Sequence, residues 1–158
     1  MVKKFHIDSL DKRILSHLTK NARMPYIEVA RLCKVSGAAV HQRIQKLTEA
    51  GIISGSRFTV DYRAMGYLTC AYIGIHVNLI ASHTHEEVFK KINEIPEIIE
   101  CHHVTGNYSL LLKIYAKTNE HLKKILVEKI QSIEEVTNTE TIISLEEGFI
   151  RQLPVDVG

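Results

Sequence analysis

Apolar residues in the first third of the chain recur at intervals of three and four positions, the spacing of amphipathic helices. The repeat is interrupted at Pro25 and Ser36 and ends at Gly51. Pro25 suits the first turn of a helix, Ser36 is a good N-cap, and Gly51 stands where a C-terminal glycine belongs. The pattern therefore predicts three helices, with a short second one. Their apolar stripes are Ile7, Leu10, Ile14 and Leu18; Tyr26, Val29, Ala30 and Cys33; and Val40, Ile44 and Leu47.

From Thr69 onward, the apolar positions predict strands as well as helices. Thr69–Val77 is β-prone and largely apolar on both faces, so we expect both faces to be covered. The order of elements is β-α-β-β-α-β, the ferredoxin-like arrangement, whose helices cover one face of the sheet. The apolar second face predicts packing against another copy of the chain. The later elements are a helix through Val88, Ile92 and Ile95 ended by Pro96, strands at Ile98–Val104 and Ser109–Ala116, a helix through Leu122, Ile125, Leu126, Ile130 and Ile133, and a strand at Val136–Leu145.

The segment between the two patterns separates two predicted domains. Ile52–Val60 is β-prone with Gly55 in its middle, which predicts a wing or an extended linker strand. Asp61–Gly66 then ends the first module. The predicted fold class is therefore α+β, with an N-terminal winged helix-turn-helix domain and linker strand over residues 1–61 and a C-terminal ferredoxin-like domain over residues 62–158.

The second and third predicted helices have the short spacing of a helix-turn-helix, whose later helix enters the major groove of DNA. Small residues at its start allow close approach, Gln42 or Gln45 can pair with adenine, and Arg43 and Lys46 suit phosphates. An ordinary solvated helix is the alternative. Lys34 also occupies a turn position usually filled by glycine, where a positive φ costs about 1 kcal/mol. The candidate DNA-contacting residues are Ser36, Ala38, His41, Gln42, Arg43, Gln45 and Lys46.

Charge divides the chain at nearly the same place as the hydrophobic pattern. Residues 1–63 contain 12 Lys and Arg against 5 Asp and Glu, a net charge of +7. Residues 64–158 contain 8 against 13, a net charge of −5, so the overall +2 hides one basic and one acidic segment. The basic segment favours DNA binding by the helix-turn-helix, and the contrast indicates two modules with different partners.

Other functional classes find no support in the sequence. The start of the chain lacks the apolar core of a signal peptide, and no run approaches the roughly 20 apolar residues that cross a bilayer, which predicts a cytoplasmic protein. Three separated cysteines and scattered histidines match neither a zinc site nor a disulfide framework, so we expect no metal and no cofactor. Without a nucleophile–base pair or a phosphate-binding loop, we expect no enzyme activity.

The predicted turn between the second and third strands carries groups that suit a small-ligand site. It combines hydroxyls, a bare glycine backbone, a carboxamide and a phenol, which together can bind a small polar molecule. A plain β-hairpin is the alternative, since Gly-Asn is a common turn pair. The candidate ligand-binding residues of this turn are Thr105, Gly106, Asn107, Tyr108 and Ser109.

Several short motifs follow one another in an order typical of a single protein family. They are Asn21-Ala22-Arg23, Arg43-Ile44 with Leu47, the run from Ala50 to Gly55, Gly66-Tyr67, Ile73-Gly74-Ile75, Thr105-Gly106 with Tyr108-Ser109, Lys129-Ile130-Gln131 and Thr139-Glu140-Thr141. In their order, and in the glycine turn of the second module, they resemble the Lrp/AsnC family of feast/famine transcriptional regulators. Within that family, the chain is most similar to the asparagine-responsive AsnC branch.

The resemblance implies a winged helix-turn-helix joined to a ligand-binding (RAM) domain. It implies homodimers formed through the linker strand and the sheet, four of which close into an octameric ring in many members. An amino acid, with asparagine as the candidate, would bind between dimers and shift the population of oligomeric arrangements. Family turns often carry an acid near the glycine, whereas this chain has Asn107 and Ser109. The implied effector contacts outside the turn come from segments of a neighbouring subunit and are Gln131, Ser132, Thr139, Glu140 and Thr141.

The combined interpretation is a sequence-specific DNA-binding transcriptional regulator, homo-oligomeric, responsive to a small amino-acid effector and associated with the nucleoid. One alternative is an architectural protein that wraps DNA with little sequence specificity. Another is a small metabolic sensor or enzyme whose basic segment binds something other than DNA. Discrete footprints on DNA distinguish the regulator from the architectural protein, and turnover of a ligand would identify the enzyme.

Overall fold

The computed structural model describes residues 6–78 and 85–155 of the 158-residue chain. Contacts within the chain define two compact units, one of Met1–Thr59 with Phe149–Gly158 and the other of Val60–Gly148. The predicted second domain ran from residue 62 to residue 158, whereas the structure groups the end of that range with the first unit. Because this division describes contacts and not independent folding, the domain limits stay a prediction.

The first unit contains three helices, α1 (Ser9–Lys20), α2 (Tyr26–Cys33) and α3 (Gly37–Glu49). Their apolar stripes meet in one small core, at whose margin Leu10 and Ile44 pack. The helix-turn-helix that the spacing predicts is confirmed, with α3 as its second helix. The buried core side chains, none more than 3% exposed, are Ile14, Val29, Ala30, Cys33 and Val40.

Hydrogen bonds at the helix ends explain where α1 and α3 begin. Asp8 is the N-cap of α1, since its Oδ1 accepts the Asp11 N–H at 2.9 Å while Asp11 Oδ2 accepts the Asp8 N–H at 3.1 Å. This reciprocal capping box satisfies two backbone donors at the start of the helix. Ser36 caps α3 as predicted, because its Oγ accepts the Ala39 N–H at 3.2 Å. Gly51, with φ of 72°, follows the end of α3.

The turn between α2 and α3 places a lysine in the left-handed region. Lys34 has φ of 55° and ψ of 45°, as the helix-turn-helix pattern predicts for this position. Its N–H bonds back to the last carbonyls of α2, so the strained residue closes the helix and redirects the chain toward Ser36. A side chain in this region costs about 1–2 kcal/mol relative to an ordinary conformation.

The predicted wing or linker strand does not form a regular strand within this chain. Residues 54–60 have neither helical nor strand structure, although the segment is β-prone. A strand is stabilised by its ladder of hydrogen bonds to a neighbour, and no described residue pairs with this segment. Its apolar side chains are instead exposed, Phe58 at 71% and Val60 at 51%, and the Arg23 guanidinium lies 4.4 Å from the Phe58 ring centroid.

The second unit is a four-stranded antiparallel sheet with helices on one face. The strands lie in the order β2-β3-β1-β4, which confirms the ferredoxin-like arrangement. The helix after β3 changes near its end to a π-helical turn at Leu126–Ile130, which the sequence does not predict. The elements are β1 (Thr69–Val77), α4 (His85–Asn93), β2 (Ile98–His103), β3 (Leu110–Ala116), α5 (Asn119–Ile125) and β4 (Val136–Ile143).

The two faces of the sheet differ more than the sequence predicts. The centre of the face under the helices is apolar, and alternate residues such as Ile73 of β1 and Leu112 of β3 are fully buried there. The opposite face was expected to be apolar too, but its centre is occupied by Lys113, which is 5% exposed. The Tyr72 and Tyr115 ring centroids lie 5.8 and 5.7 Å from its Nζ, and Glu147 Oε2 lies 3.6 Å from it, so two aromatic rings and a carboxylate accommodate the charge.

Candidate DNA interface and effector site

The exposed face of α3 presents most of the predicted DNA-contacting residues together. Successive residues of a helix are turned by about 100°, so Gln42 and Gln45 lie on the side opposite the buried Val40 and Leu47. Small side chains occupy the first turn, so a partner surface can approach this end of the helix closely. The predicted residues that are exposed on or beside this face are Ser36, Ala38, His41, Gln42, Gln45 and Lys46.

Two contacts modify the chemistry of this face. Gln45 Nε2 donates to Glu49 Oε1 at 2.9 Å, so the amide that was predicted to reach a base is held by a carboxylate one turn away. The Tyr26 ring lies 6.2 Å from the His41 ring and is 45% exposed. The helical spacing assigned Tyr26 to the apolar stripe of α2, and the structure instead places it at the exposed face next to α3.

Arg43 is the predicted DNA-contacting residue that the structure does not bring to this face. Its Nη1 donates to Asp8 Oδ2 and, at 3.2 Å, to Asp11 Oδ1, both at the start of α1. The Asp11 backbone N–H and the Arg43 guanidinium lower the pKa of Asp8, and the hydrogen bond to Asp8 raises the pKa of Arg43. Asp11 is only 1% exposed, whereas the Arg43 and Asp8 side chains are 34% and 38% exposed, so this ion pair lies at the margin of the interior of the unit.

The turn at residues 105–109 is attached to the sheet and is more than a hairpin end. The Ser109 N–H donates to the Ile75 carbonyl at 2.8 Å, and Ser109 Oγ accepts the Val77 N–H at 3.2 Å. These bonds fasten the turn to the end of β1. Gly106 has φ of 111°, a region that disfavours residues with a Cβ. The Ser109 hydroxyl therefore has a structural partner, while the turn residues from Thr105 to Asn107 are exposed.

Tyr108 connects the turn to β1 and β4 across the face opposite the helices. Its ring lies over Gly74, where a Cβ would stand 2.5 Å from one ring carbon and 2.6 Å from the Cγ. Its hydroxyl donates to Glu140 Oε2 at 2.7 Å, and this hydrogen bond raises the pKa of the phenol. The acid that the turn itself lacks is thus supplied by Glu140 of the edge strand.

The remaining predicted effector residues lie on the other face of β4. Because side chains alternate along a strand, Thr139 and Thr141 point away from Glu140. Gln131 Nε2 donates to Thr139 Oγ1 at 2.8 Å, and the Gln131 N–H closes the π-helical turn by bonding to the Leu126 carbonyl at 2.8 Å. Ser132 Oγ donates to the Glu128 carbonyl, also at 2.8 Å.

The predicted effector residues therefore form two groups on opposite faces of one edge strand. Tyr108 and Glu140 belong to the first, and Gln131 and Thr139 to the second. The extra residue of a π-helical turn is difficult to recognise in sequence. Such turns occur often at functional sites. The i, i+5 spacing of the buried Ile125 and Ile130 was the available signal for it.

Comparison with known proteins assigns both units. Residues 7–54 match the family model described as winged helix-turn-helix DNA-binding, and residues 70–152 match the Lrp/AsnC ligand binding domain. The chain belongs to the Lrp/AsnC family. The order of the two matches confirms the predicted architecture and resemblance, and this Lrp/AsnC chain is a DNA-binding transcriptional regulator with a ligand-binding domain.

Individual relatives of this Lrp/AsnC chain agree over nearly its whole length. Regulatory protein AsnC of Haemophilus influenzae is 40% identical over 148 residues, 94% of this chain and 97% of that protein. The structure of Escherichia coli AsnC superposes with a TM-score of 0.87 at 34% identity, covering 95% of this chain and 99% of that one. A Neisseria meningitidis transcriptional regulator in complex with L-Met has the same fold, with a TM-score of 0.87 at 19% identity, 96% coverage of this chain and 98% of that one.

Within residues 6–78 and 85–155, no helix is both long enough and apolar enough to cross a membrane.

Proposed function

We propose that this regulator binds specific DNA sites through the exposed face of α3 and responds to an amino acid held at the turn of residues 105–109. The observation that carries the DNA half is that α3 presents its small first turn, Gln42 and Lys46 on one solvent-facing side of a basic unit. Gln42 suits the paired donor and acceptor of adenine, and Lys46 suits a phosphate. We assign Ser36, Ala38, His41 and Gln45 to the same contact surface.

The effector half rests on the carboxylate of Glu140. An amino acid carries an ammonium group, and Glu140 lies beside the exposed turn, where the Tyr108 hydroxyl donates to its carboxylate. The backbone N–H groups of a glycine turn suit the ligand carboxylate. The L-Met complex of the Neisseria meningitidis relative supports an amino acid as the ligand class, and the similarity to AsnC makes asparagine the candidate.

We further propose that the second half of the effector site comes from another copy of the chain. Thr139 and Thr141 face away from Glu140, and Gln131 is bonded to Thr139, so one amino acid cannot touch both groups within one chain. A neighbouring copy can place its own Gln131 group against the turn. This arrangement requires at least a dimer, and the resemblance to the family makes an octamer the proposed complete form. The proposed place of action is the nucleoid in the cytoplasm.

Footprinting tests the DNA half against the architectural alternative. We expect discrete protected sites on DNA fragments taken from upstream of genes, whereas uniform coverage of these fragments would identify an architectural protein. Gln42→Ala should weaken protection at specific sites, and Lys46→Gln should weaken binding to all sequences and lower the salt slope by about 0.9. Lys20→Gln at the end of α1 removes the same charge away from the proposed surface and is the matched control.

Thermal shift against the twenty amino acids tests the effector half. A ligand at a concentration of 100 Kd stabilises the folded chain by about 2.7 kcal/mol, which is easily measured. Glu140→Gln should abolish the shift, and Glu146→Gln, an exposed acid beyond β4, should retain it. If no amino acid stabilises the wild type, the effector proposal fails. An unchanged shift in Glu140→Gln contradicts only the assignment of the ammonium group.

A further inference from the structure

Arg43 lies at the edge of the exposed face of α3, and the direction of its side chain separates it from the residues proposed to touch DNA. Counting about 100° per residue, its Cα lies about 60° or less from the buried Val40 and Leu47, with Lys46 about 60° away on the exposed side. Its side chain is 34% exposed, although an arginine on a solvent-facing helix usually extends into water. The side chain therefore points toward α1.

The two carboxylates that bind Arg43 are already held in place by the capping box at the start of α1. Asp8 and Asp11 each use one carboxylate oxygen to accept the other's backbone N–H in the capping box. The other oxygen of each, Asp8 Oδ2 and Asp11 Oδ1, accepts from Arg43 Nη1. All four oxygens are thus hydrogen-bonded, and one guanidinium nitrogen bridges both carboxylates.

We propose that Arg43 is a positioning residue, which with Asp8 and Asp11 fixes the orientation of α3 on α1 and thereby aims the DNA-reading face without touching DNA. This inference rests on the proposed assignment of α3 to the DNA interface. It also gives the capping box of α1 a part in DNA recognition, since the same two carboxylates define the start of one helix and hold the other.

The burial of Asp11 explains why Arg43 stays where it is. Moving the guanidinium to a phosphate would leave the Asp11 carboxylate, which is 1% exposed, without its charged partner. An uncompensated buried charge is costly, so a new phosphate contact does not replace what is lost. Lys46, which is exposed and one turn further along the helix, has no such constraint.

The salt dependence of DNA binding distinguishes a positioning residue from a phosphate contact. The probe is a duplex selected from a random pool on the wild-type chain, and Kd is measured against KCl at a temperature where circular dichroism shows each variant fully folded. Arg43→Gln should weaken binding about tenfold with an unchanged salt slope. Lys46→Gln should lower the slope by about 0.9, as one lost phosphate contact requires.

A variant of Asp8 tests the same proposal with Arg43 retained. Asp8→Asn keeps an N-cap but weakens the hold on Arg43, so DNA binding should weaken about threefold or more, again with an unchanged slope. Asp8→Asn also removes a negative charge, which by itself favours binding to DNA phosphates. Glu28→Gln removes one negative charge from the same unit and controls for this effect. If Arg43 contacts phosphate, Arg43→Gln lowers the slope and Asp8→Asn binds as tightly as wild type or more tightly.

The possible failures are distinguishable. A lowered slope in Arg43→Gln overturns the positioning role while leaving α3 as the DNA-reading helix. Unchanged binding in Gln42→Ala and Lys46→Gln overturns the α3 assignment and, with it, the role of Arg43. A role in stability alone predicts that the folded Arg43→Gln and Asp8→Asn chains bind with wild-type affinity, and that result also overturns the proposal.

Discussion

The proposed DNA-reading face and the proposed effector site of this Lrp/AsnC regulator are built from different kinds of chain segment. On α3, the proposed contacts follow one another along a single helix whose start is set by Ser36. The proposed effector contacts come from the turn of residues 105–109, the end of a π-helical turn and both faces of β4. The first site depends on how one helix is capped and oriented, and the second on how separate segments pack. Substitutions should therefore affect the two sites independently.

The largest effect is expected at Gly74, where the effector region has no space for a side chain. A Cβ there would meet the Cγ of Tyr108 at 2.6 Å, so the whole ring must leave and its hydroxyl must leave Glu140. Gly74→Ala should destabilise the chain by about 2 kcal/mol in urea unfolding and remove the amino-acid thermal shift. Salt-dependent binding to non-specific DNA should be preserved, since α3 is untouched.

Gly148→Ala is the matched control for that change, because a Cβ at Gly148 has no atom within 4 Å. It should leave both the urea midpoint and the thermal shift near wild type. If Gly74→Ala retains the full shift, Tyr108 and Glu140 are not the effector contact and the contrast between the two regions weakens.

A stabilising change is expected in the helix-turn-helix at Lys34. Glycine accepts φ of 55° without strain, whereas alanine keeps the strain of a Cβ. Lys34→Gly should therefore be more stable than Lys34→Ala by about 1–2 kcal/mol in urea unfolding. Both variants lose the lysine charge, so a change in DNA binding that they share is due to that charge. The difference in stability between them is due to the backbone strain of a residue with a Cβ. Equal stability would show that the turn carries no strain.

The cap of α3 is a smaller and more local test. Ser36→Ala removes the acceptor of the Ala39 N–H and should destabilise the first unit by about 1 kcal/mol, as measured by urea unfolding. Ser36→Asn retains a capping acceptor and should restore most of the stability. If Ser36 also contacts DNA, both variants weaken binding, whereas a cap alone predicts that Ser36→Asn binds normally.

The sequence predicted the DNA region more completely than the effector region for physical reasons. Helix spacing, the Ser36 cap and the left-handed turn at Lys34 are local features, and each is confirmed in the structure. The partner of Arg43 lies more than thirty positions away, at Asp8 and Asp11. No local pattern indicates which of two basic residues on one helix turns inward, so only the packed structure separates Arg43 from Lys46.

The effector region illustrates the same limit more strongly. The glycine turn was visible in the sequence, and Glu140 was included only through the family resemblance, as a contact from a neighbouring subunit. Its position beside Tyr108 of the same chain follows from the pairing of β1 with β4, which no local pattern indicates. The π-helical turn before Gln131 was missed. Strand alternation places Glu140 and Thr139 on opposite faces, so the motif Thr139-Glu140-Thr141 does not form one contact surface, as the resemblance implied.

The smallest expected effect is a pH dependence confined to the DNA-binding unit. The Asp11 backbone N–H and Arg43 hold the pKa of Asp8 below its ordinary value, so the folded state binds a proton less readily than the unfolded state. The ionised Asp8 carboxylate therefore stabilises the fold fully above the unfolded pKa of about 3.9, and this contribution is lost as pH falls through the lower folded pKa. The difference in urea stability between wild type and Asp8→Asn should stay constant from pH 7 to about pH 5 and shrink below about pH 4. A difference that persists at low pH would mean that the Asp8 charge contributes nothing to holding α1 and α3 together.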